Sequence, residues 1–435
     1  MPQVEVSRNR HAESPHAGSP HAGSPYAGSR HAGRTLRLAW KLLPIVPLIL
    51  LLFGPYVTFA GKARPMEIWM DGTRQRTDVI YDGKHYFITA DVLKLWGLQA
   101  DYDSAARRLR LSPAPEAGRD IAFNPVYYRD RVIVLMYHHI VDEPENRDGL
   151  HVAKFRRQME LLAANRFNVI GMQEFADFML RGAPVPPNAV LITFDDGYES
   201  FYALAFPVLK ELGFPASNFL IVKWIDKPYG IPKLTWDQMR EMQAYGMSFY
   251  NHSYESHEYK PVNKSGHTKP ALAHRLYLKD KNRRETREEY RQRVLDDLTA
   301  AERRLREELG NRTGILAFPY GAYNEDLLLI AEEAGIDLML STKEGINKSG
   351  QRVVYRVNAG APDADAEELV RRMRHALGHV PDIRLQVSFG DTELVFPTAR
   401  PFERNGTVWL PLETMAETFG VRYQMDRENG NVIFF

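Results

Sequence analysis

The stretch VLITFDDGY, residues 190–198, decides the fold. Val190, Leu191, Ile192, Thr193 and Phe194 run without polar alternation until two carboxylates, Asp195 and Asp196, and then Gly197 stop them. A strand with no in–out alternation is covered on both faces, which is the habit of a parallel sheet flanked by helices. The same form recurs at 132–137 (VIVLMY), 218–222, 247–250, 314–317 and 338–341. Helical periodicities separate these runs, as in Phe155, Met159 and Leu162, or in residues 201–212. Buried strands alternating with amphipathic helices over residues 126–378 predict an α/β fold built on a (β/α) barrel, for which about 250 residues is the usual size. In such barrels the reactive side chains stand at the C-terminal ends of the strands.

Four strand ends carry candidate chemistry. Adjacent residues at a strand end point different ways, so Asp195 and Asp196 can take two roles. Alone, Asp-Asp-Gly is commonly a helix cap and a turn. After the strand at 247–250 come His252 and His257, five residues apart. Two imidazoles and a carboxylate form a facial site for a divalent metal with positions left open. Pro319, Tyr320 and Gly321 follow the strand at 314–317, and His138 and His139 follow the first. Each is ordinary by itself; their order at four strand ends is what carries information.

Taken together these motifs closely resemble the polysaccharide deacetylases, carbohydrate esterase family four, over about residues 131–359. The leading MYHHI at 136–140, the five-residue histidine spacing and Arg356-Val357-Asn358 resemble the branch acting on exopolysaccharide such as poly-N-acetylglucosamine. The resemblance implies a deformed, permuted barrel whose catalytic histidine arrives early in the chain. It implies that Asp196, His252 and His257 bind a divalent metal, zinc before other transition ions. It further implies that Asp195 is the general base, that the Tyr320 backbone N–H after Pro319 stabilises the oxyanion, and that His138, directly after Met-Tyr, protonates the leaving amine. Many relatives carry an Arg before Pro-Tyr-Gly that orients the catalytic aspartate; residues 315–318 (ILAF) hold none, and Arg356 is the candidate substitute. The function implied is removal of N-acetyl groups from an N-acetylglucosamine-containing cell-surface polysaccharide. A glycan-binding wall protein with an inactive barrel is the competing class, and an O-deacetylase on acetyl esters would use the same site.

The chain has 435 residues, 56 Lys and Arg against 55 Asp and Glu, and no cysteine. A net charge of +1 gives no attraction to nucleic acid, and disulfides and thiolate zinc sites are excluded. The charged run at 283–309 neutralises itself and reads as a surface helix with Tyr290, Val294, Leu298, Ala301 and Leu305 on one face.

Residues 1–35 include a repeated HAGSP-like unit too small and polar to bury a core, and read as a disordered tail. Residues 36–60 hold an uncharged run from Leu42 to Ala60 preceded by Arg30, Arg34, Arg37 and Lys41. This reads as a transmembrane signal-anchor with an inside N-terminus, holding the protein at the cell membrane with the rest of the chain extracellular; cleavage near Ala60 would make it a secreted protein instead. Gly83 to Gly97 and Gly406 to Gly420 share a fourteen-residue spacing, and Asp103 and Asp426 each follow six residues later. Residues 61–125 and 379–435 therefore read as two copies of a small α+β module that resembles the copper amine oxidase N-terminal-like domain, without a copper ligand set. The copies are expected to bind the wall or each other.

Overall fold

Apolar runs that offer side chains to both faces pair with one another and are covered by helices. In the computed structural model these runs are β1 (Val132–Tyr137), β2 (Ala189–Asp195), β3 (Ala216–Leu220), β4 (Met247–Asn251), β5 (Gly314–Ala317) and β6 (Ile336–Leu340), hydrogen-bonded in that order and all parallel. The structure describes residues 62–115, 121–143, 146, 148–227, 230–376, 385–426 and 431–435. The expected tail at 1–35 and apolar segment at 36–60 lie outside the described residues, among which no helix is long and apolar enough to cross a membrane.

The two edges of the sheet approach each other through one short segment. β7 (Val353–Val354) pairs with β6, and three residues on β8 (Val357–Asn358) pairs with β1, with Val357 opposite Leu135. The sheet is thereby nearly closed, and Arg356 sits at the closure. Inward residues Val132, Val134, Leu191, Phe219, Ile315, Leu338 and Leu340 form one buried cluster with the helix Met172–Arg181. The opposite faces, carrying Ile133, Leu135, Val190, Ile192 and Phe194, pack against the helices Val152–Ala164 and Phe206–Leu212.

Some boundaries differ from the sequence reading. The third strand ends at Leu220, and the helix Val222–Asp226 follows one residue later. The long helix begins at Arg287 because Thr286 and Glu289 form a capping box; Arg283 and Arg284 instead pair with Tyr277 and Leu278.

The described stretches before and after the nearly closed sheet meet. A seven-stranded sheet takes Ala63–Met70, Thr73–Tyr81 and Tyr86–Thr89 from the first stretch, and Phe402–Arg404, Thr407–Pro411, Tyr423–Asp426 and Asn431–Phe434 from the last. The exchange is reciprocal. Ala63–Met70 lies parallel to Asn431–Phe434, and Gln386–Phe389 lies parallel to Arg108–Pro113 in a second sheet. Ile68, Ile88, Leu109, Leu410, Met415 and Val432 share one core. Some 50 residues bury too little surface to fold alone with ease, and interlocking the two ends doubles that core.

Candidate metal centre and active site

Every sequence-selected residue except Arg356 stands at or just beyond the C-terminal end of one of β1, β2, β4 and β5; Arg356 lies between β7 and β8. Asp196, His252 and His257 converge, their ligand atoms all lying within 4.8 Å of one another. Asp196 Oδ1 is 3.4 Å from His252 Nε2 and 3.3 Å from His257 Nε2. The Nδ1 of His252 is 2.8 Å from the Ala317 carbonyl, which fixes that nitrogen as the donor and leaves Nε2 as a lone-pair ligand. Among the described residues, buried Asp196 Oδ1 has no hydrogen-bond donor. A buried, unsatisfied carboxylate oxygen facing two imidazole nitrogens fits a divalent cation.

Asp195 is paired separately from these three. Its carboxylate is buried and held in a two-pronged pair by Arg356, with Nη1 to Oδ1 at 2.7 Å and Nη2 to Oδ2 at 2.9 Å. Burial pushes the Asp195 carboxyl up, but Arg356, His252 and His138 outweigh it and hold it below its ordinary value. His138 Nε2 lies 3.8 Å from Asp195 Oδ2 with 43% of its side chain exposed. His139 turns away, placing Nδ1 2.8 Å from Ser200 Oγ and its ring against Tyr198.

Backbone strain gathers here. Asp196, Ser253 and Tyr320 all have left-handed φ, at 73°, 76° and 58°. Such conformations cost of order 1–3 kcal/mol each and persist where the surroundings impose them. Beside Tyr320, Gly321 has φ +67°, and a Cβ there would lie 2.0 Å from Thr342 Oγ1, so only glycine fits.

The loop joining the two histidines is held from outside by residues that the sequence reading did not single out. Asp297 accepts hydrogen bonds from the Tyr254 and Glu255 amides at 2.9 and 3.0 Å and from Ser256 Oγ at 2.8 Å. Asn251 Nδ2 donates to Glu302 Oε1 at 2.9 Å, while its Oδ1 accepts the Ser253 amide at 2.7 Å. Burial raises the Asp297 carboxyl and pushes Glu302 up to about 7. A signal was present. Asp297 and Glu302 adjoin Leu298 and Ala301 in the helix's apolar stripe, where a carboxylate needs a buried partner.

Residues 182–339 match the family model described as polysaccharide deacetylase. That span holds Asp195, Asp196, His252, His257, Pro319 and Tyr320; His138 and Arg356 lie outside it. Among curated proteins, the chain is 27% identical over 234 residues to the poly-beta-1,6-N-acetyl-D-glucosamine N-deacetylase of Escherichia coli K12, covering 50% of this chain and 35% of that protein. It is 24% identical over 223 residues to the protein of the same name from Staphylococcus aureus MRSA252, covering 51% of this chain and 70% of that one. The chain thus spans only about a third of the length of the first of these relatives. Among solved structures, a de-N-acetylase from Aggregatibacter actinomycetemcomitans superposes with a TM-score of 0.51 at 27% identity, over 56% of this chain and all of that one. Residues 182–339 are thus similar to the polysaccharide deacetylases, and the nearly closed sheet with side chains converging at its mouth resembles that of a solved de-N-acetylase.

Proposed function

We propose that the protein is a metal-dependent hydrolase that removes N-acetyl groups from an N-acetylglucosamine-containing polysaccharide at the cell surface, using a permuted barrel with its acid on the first strand. The observation that carries this reading is the convergence of Asp196, His252 and His257 beside a second, separately paired carboxylate, Asp195. An ion held by those three residues, zinc first, would polarise the acetamide carbonyl and acidify a water.

The chain's own residues supply the rest. Asp195, kept ionised by Arg356, takes a proton from the water as its oxygen bonds to the carbonyl carbon. The Tyr320 backbone N–H is assigned to the developing oxyanion. His138 gives a proton to the nitrogen as the C–N bond breaks, leaving acetate and a free amine on the sugar.

An inactive binding barrel is disfavoured because the base and all three ligand side chains are present. The expected anchor at 36–60 fits a substrate outside the cell, and the interlocked end strands favour the flanking modules binding each other. The test is acetate release from poly-N-acetylglucosamine oligomers, chitin fragments, peptidoglycan and an acetyl ester in parallel. Release from the N-acetylated oligomers, lost in H138A and D195N, supports the reading; release from the ester alone overturns it in favour of an O-deacetylase.

A further inference from the structure

Beyond the triad, the site continues as a surface of aromatic rings. His257 lies 4.5 Å, centroid to centroid, from Tyr320, and Tyr320 lies 4.6 Å from Tyr259. Two such steps place the Tyr259 ring no more than about 9 Å from the ring of a metal-ligand histidine. Both tyrosines are open to solvent, Tyr320 by 42% and Tyr259 by 54%. The Tyr320 hydroxyl donates to the His257 carbonyl at 3.4 Å, which restrains its ring beside the histidine.

Tyr259 is not a loose side chain on a frayed loop. It opens the strand Tyr259–Pro261, paired antiparallel with Thr268–Pro270. The hairpin is pinned by the Ala271 amide to the Glu258 carbonyl at 2.8 Å and by the His267 amide to Asn263 Oδ1 at 3.0 Å. Strand alternation sends Tyr259 toward Tyr320 and its neighbour Lys260 toward a separate cleft lined by Glu255, Glu289 and Arg293. Among the described residues, Tyr259 makes its ring contact with Tyr320 and no other ring. A large amphipathic ring held on a rigid hairpin, mostly uncovered and continuous with a reaction centre, is the form of a ligand-stacking surface.

We propose that Tyr259, with the exposed face of Tyr320, forms a stacking subsite for the apolar face of the sugar unit next to the one being deacetylated. The inference rests on the polysaccharide N-deacetylase reading and deepens it. The triad selects the acetamide, and Tyr259 makes the protein prefer a chain of sugars to a single one. The occupant is a neutral hexosaminyl ring, whose C–H groups meet the ring face.

The test compares Y259A, Y259F and Y259W with wild type on the monomer, dimer, tetramer and hexamer of β-1,6-linked N-acetylglucosamine, reading acetate release. Hexamer affinity for D195N and for D195N/Y259A is measured by calorimetry alongside. One aromatic contact corresponds to about a tenfold change. Y259A is expected to raise KM for tetramer and hexamer about tenfold with kcat kept, to leave kcat/KM for the monomer within about twofold, and to weaken hexamer binding to D195N about tenfold. Y259F and Y259W should behave as wild type. An equal loss on monomer and hexamer, or no loss on either, overturns the subsite. Absence of acetate release by wild type from every length, with the calorimetric difference intact, overturns the N-deacetylase reading and leaves the subsite standing as a glycan contact.

Discussion

Arg356 grips both oxygens of Asp195 from the closure of the sheet, at 2.7 and 2.9 Å, and is itself 0% exposed. Its Nε donates to the Ser341 carbonyl at 2.9 Å, so the guanidinium is held on three sides before any substrate arrives. The residue lies between β7, which pairs with β6, and β8, which pairs with β1. Closing the sheet and orienting the Asp195 carboxylate are therefore one structural event. A planar fork matched to a carboxylate fixes orientation as well as charge.

Arg356→Ala should lower kcat by about 10²-fold through misplacement of the base, and should destabilise the fold by roughly 3–5 kcal/mol by leaving a buried carboxylate unpaired. Arg356→Lys keeps the charge and loses the fork, so an intermediate rate is expected. Metal content by mass spectrometry should match wild type in both. Unchanged turnover in Arg356→Ala would remove Arg356 from the site.

Asp195→Asn and Asp196→Ala should fail differently. The first should bind metal like wild type and lose most turnover, since an amide cannot take the proton. The second removes the carboxylate nearest both histidine Nε2 atoms and should lose the metal itself. Metal-to-protein ratios measured beside acetate release separate the two.

Metal uptake should expel a proton. Burial pushes the His252 imidazole down, but Asp195 and Asp196 outweigh it and raise it above its ordinary 6.5; burial and the neighbouring His252 charge hold His257 down to about 4. The metal-free pair thus keeps its proton on His252 at mildly acid pH. Affinity should fall as pH drops through the raised His252 value. Calorimetry in two buffers of different ionisation heat should read more proton release at mildly acid pH than at alkaline pH.

Glu302 titrates near neutrality in the folded chain, at about 7 against an ordinary 4.5. A raised carboxyl favours the fold below pH 4.5; that contribution falls between pH 4.5 and about 7 and is absent above. Glu302→Gln keeps an acceptor for Asn251 without the charge. It should be more stable than wild type above pH 7, by up to roughly 3 kcal/mol, with the gap closing toward pH 4.5. Urea melts at pH 4.5, 6 and 8 would show it.

The interlocked ends give a fifth expectation. Val432 is buried opposite Ile68. Val432→Asp should destabilise the first strand as well as the last, by several kcal/mol. Hydrogen exchange should show lost protection at 66–70, more than 360 residues away in sequence.

Much of the fold is legible in the sequence. The unalternating apolar runs required a covered parallel sheet, because a strand without a polar face has no solvent side. The carboxylates and imidazoles fell where such a sheet puts its open ends. The capping box of Thr286 and Glu289 explains why the long helix begins at Arg287, four residues after the start of the charged run at 283.

What the sequence by itself determined were the residue types at each strand end, since local pattern and chemistry suffice for that. Only the tertiary structure decided which of those residues meet. Arg356 and Asp195 are 161 positions apart, and Asp297 reaches the histidine loop from a helix 41 positions beyond Ser256. Those contacts depend on how the sheet closes and how the helix packs across it, and no spacing along the chain encodes a distance through the core.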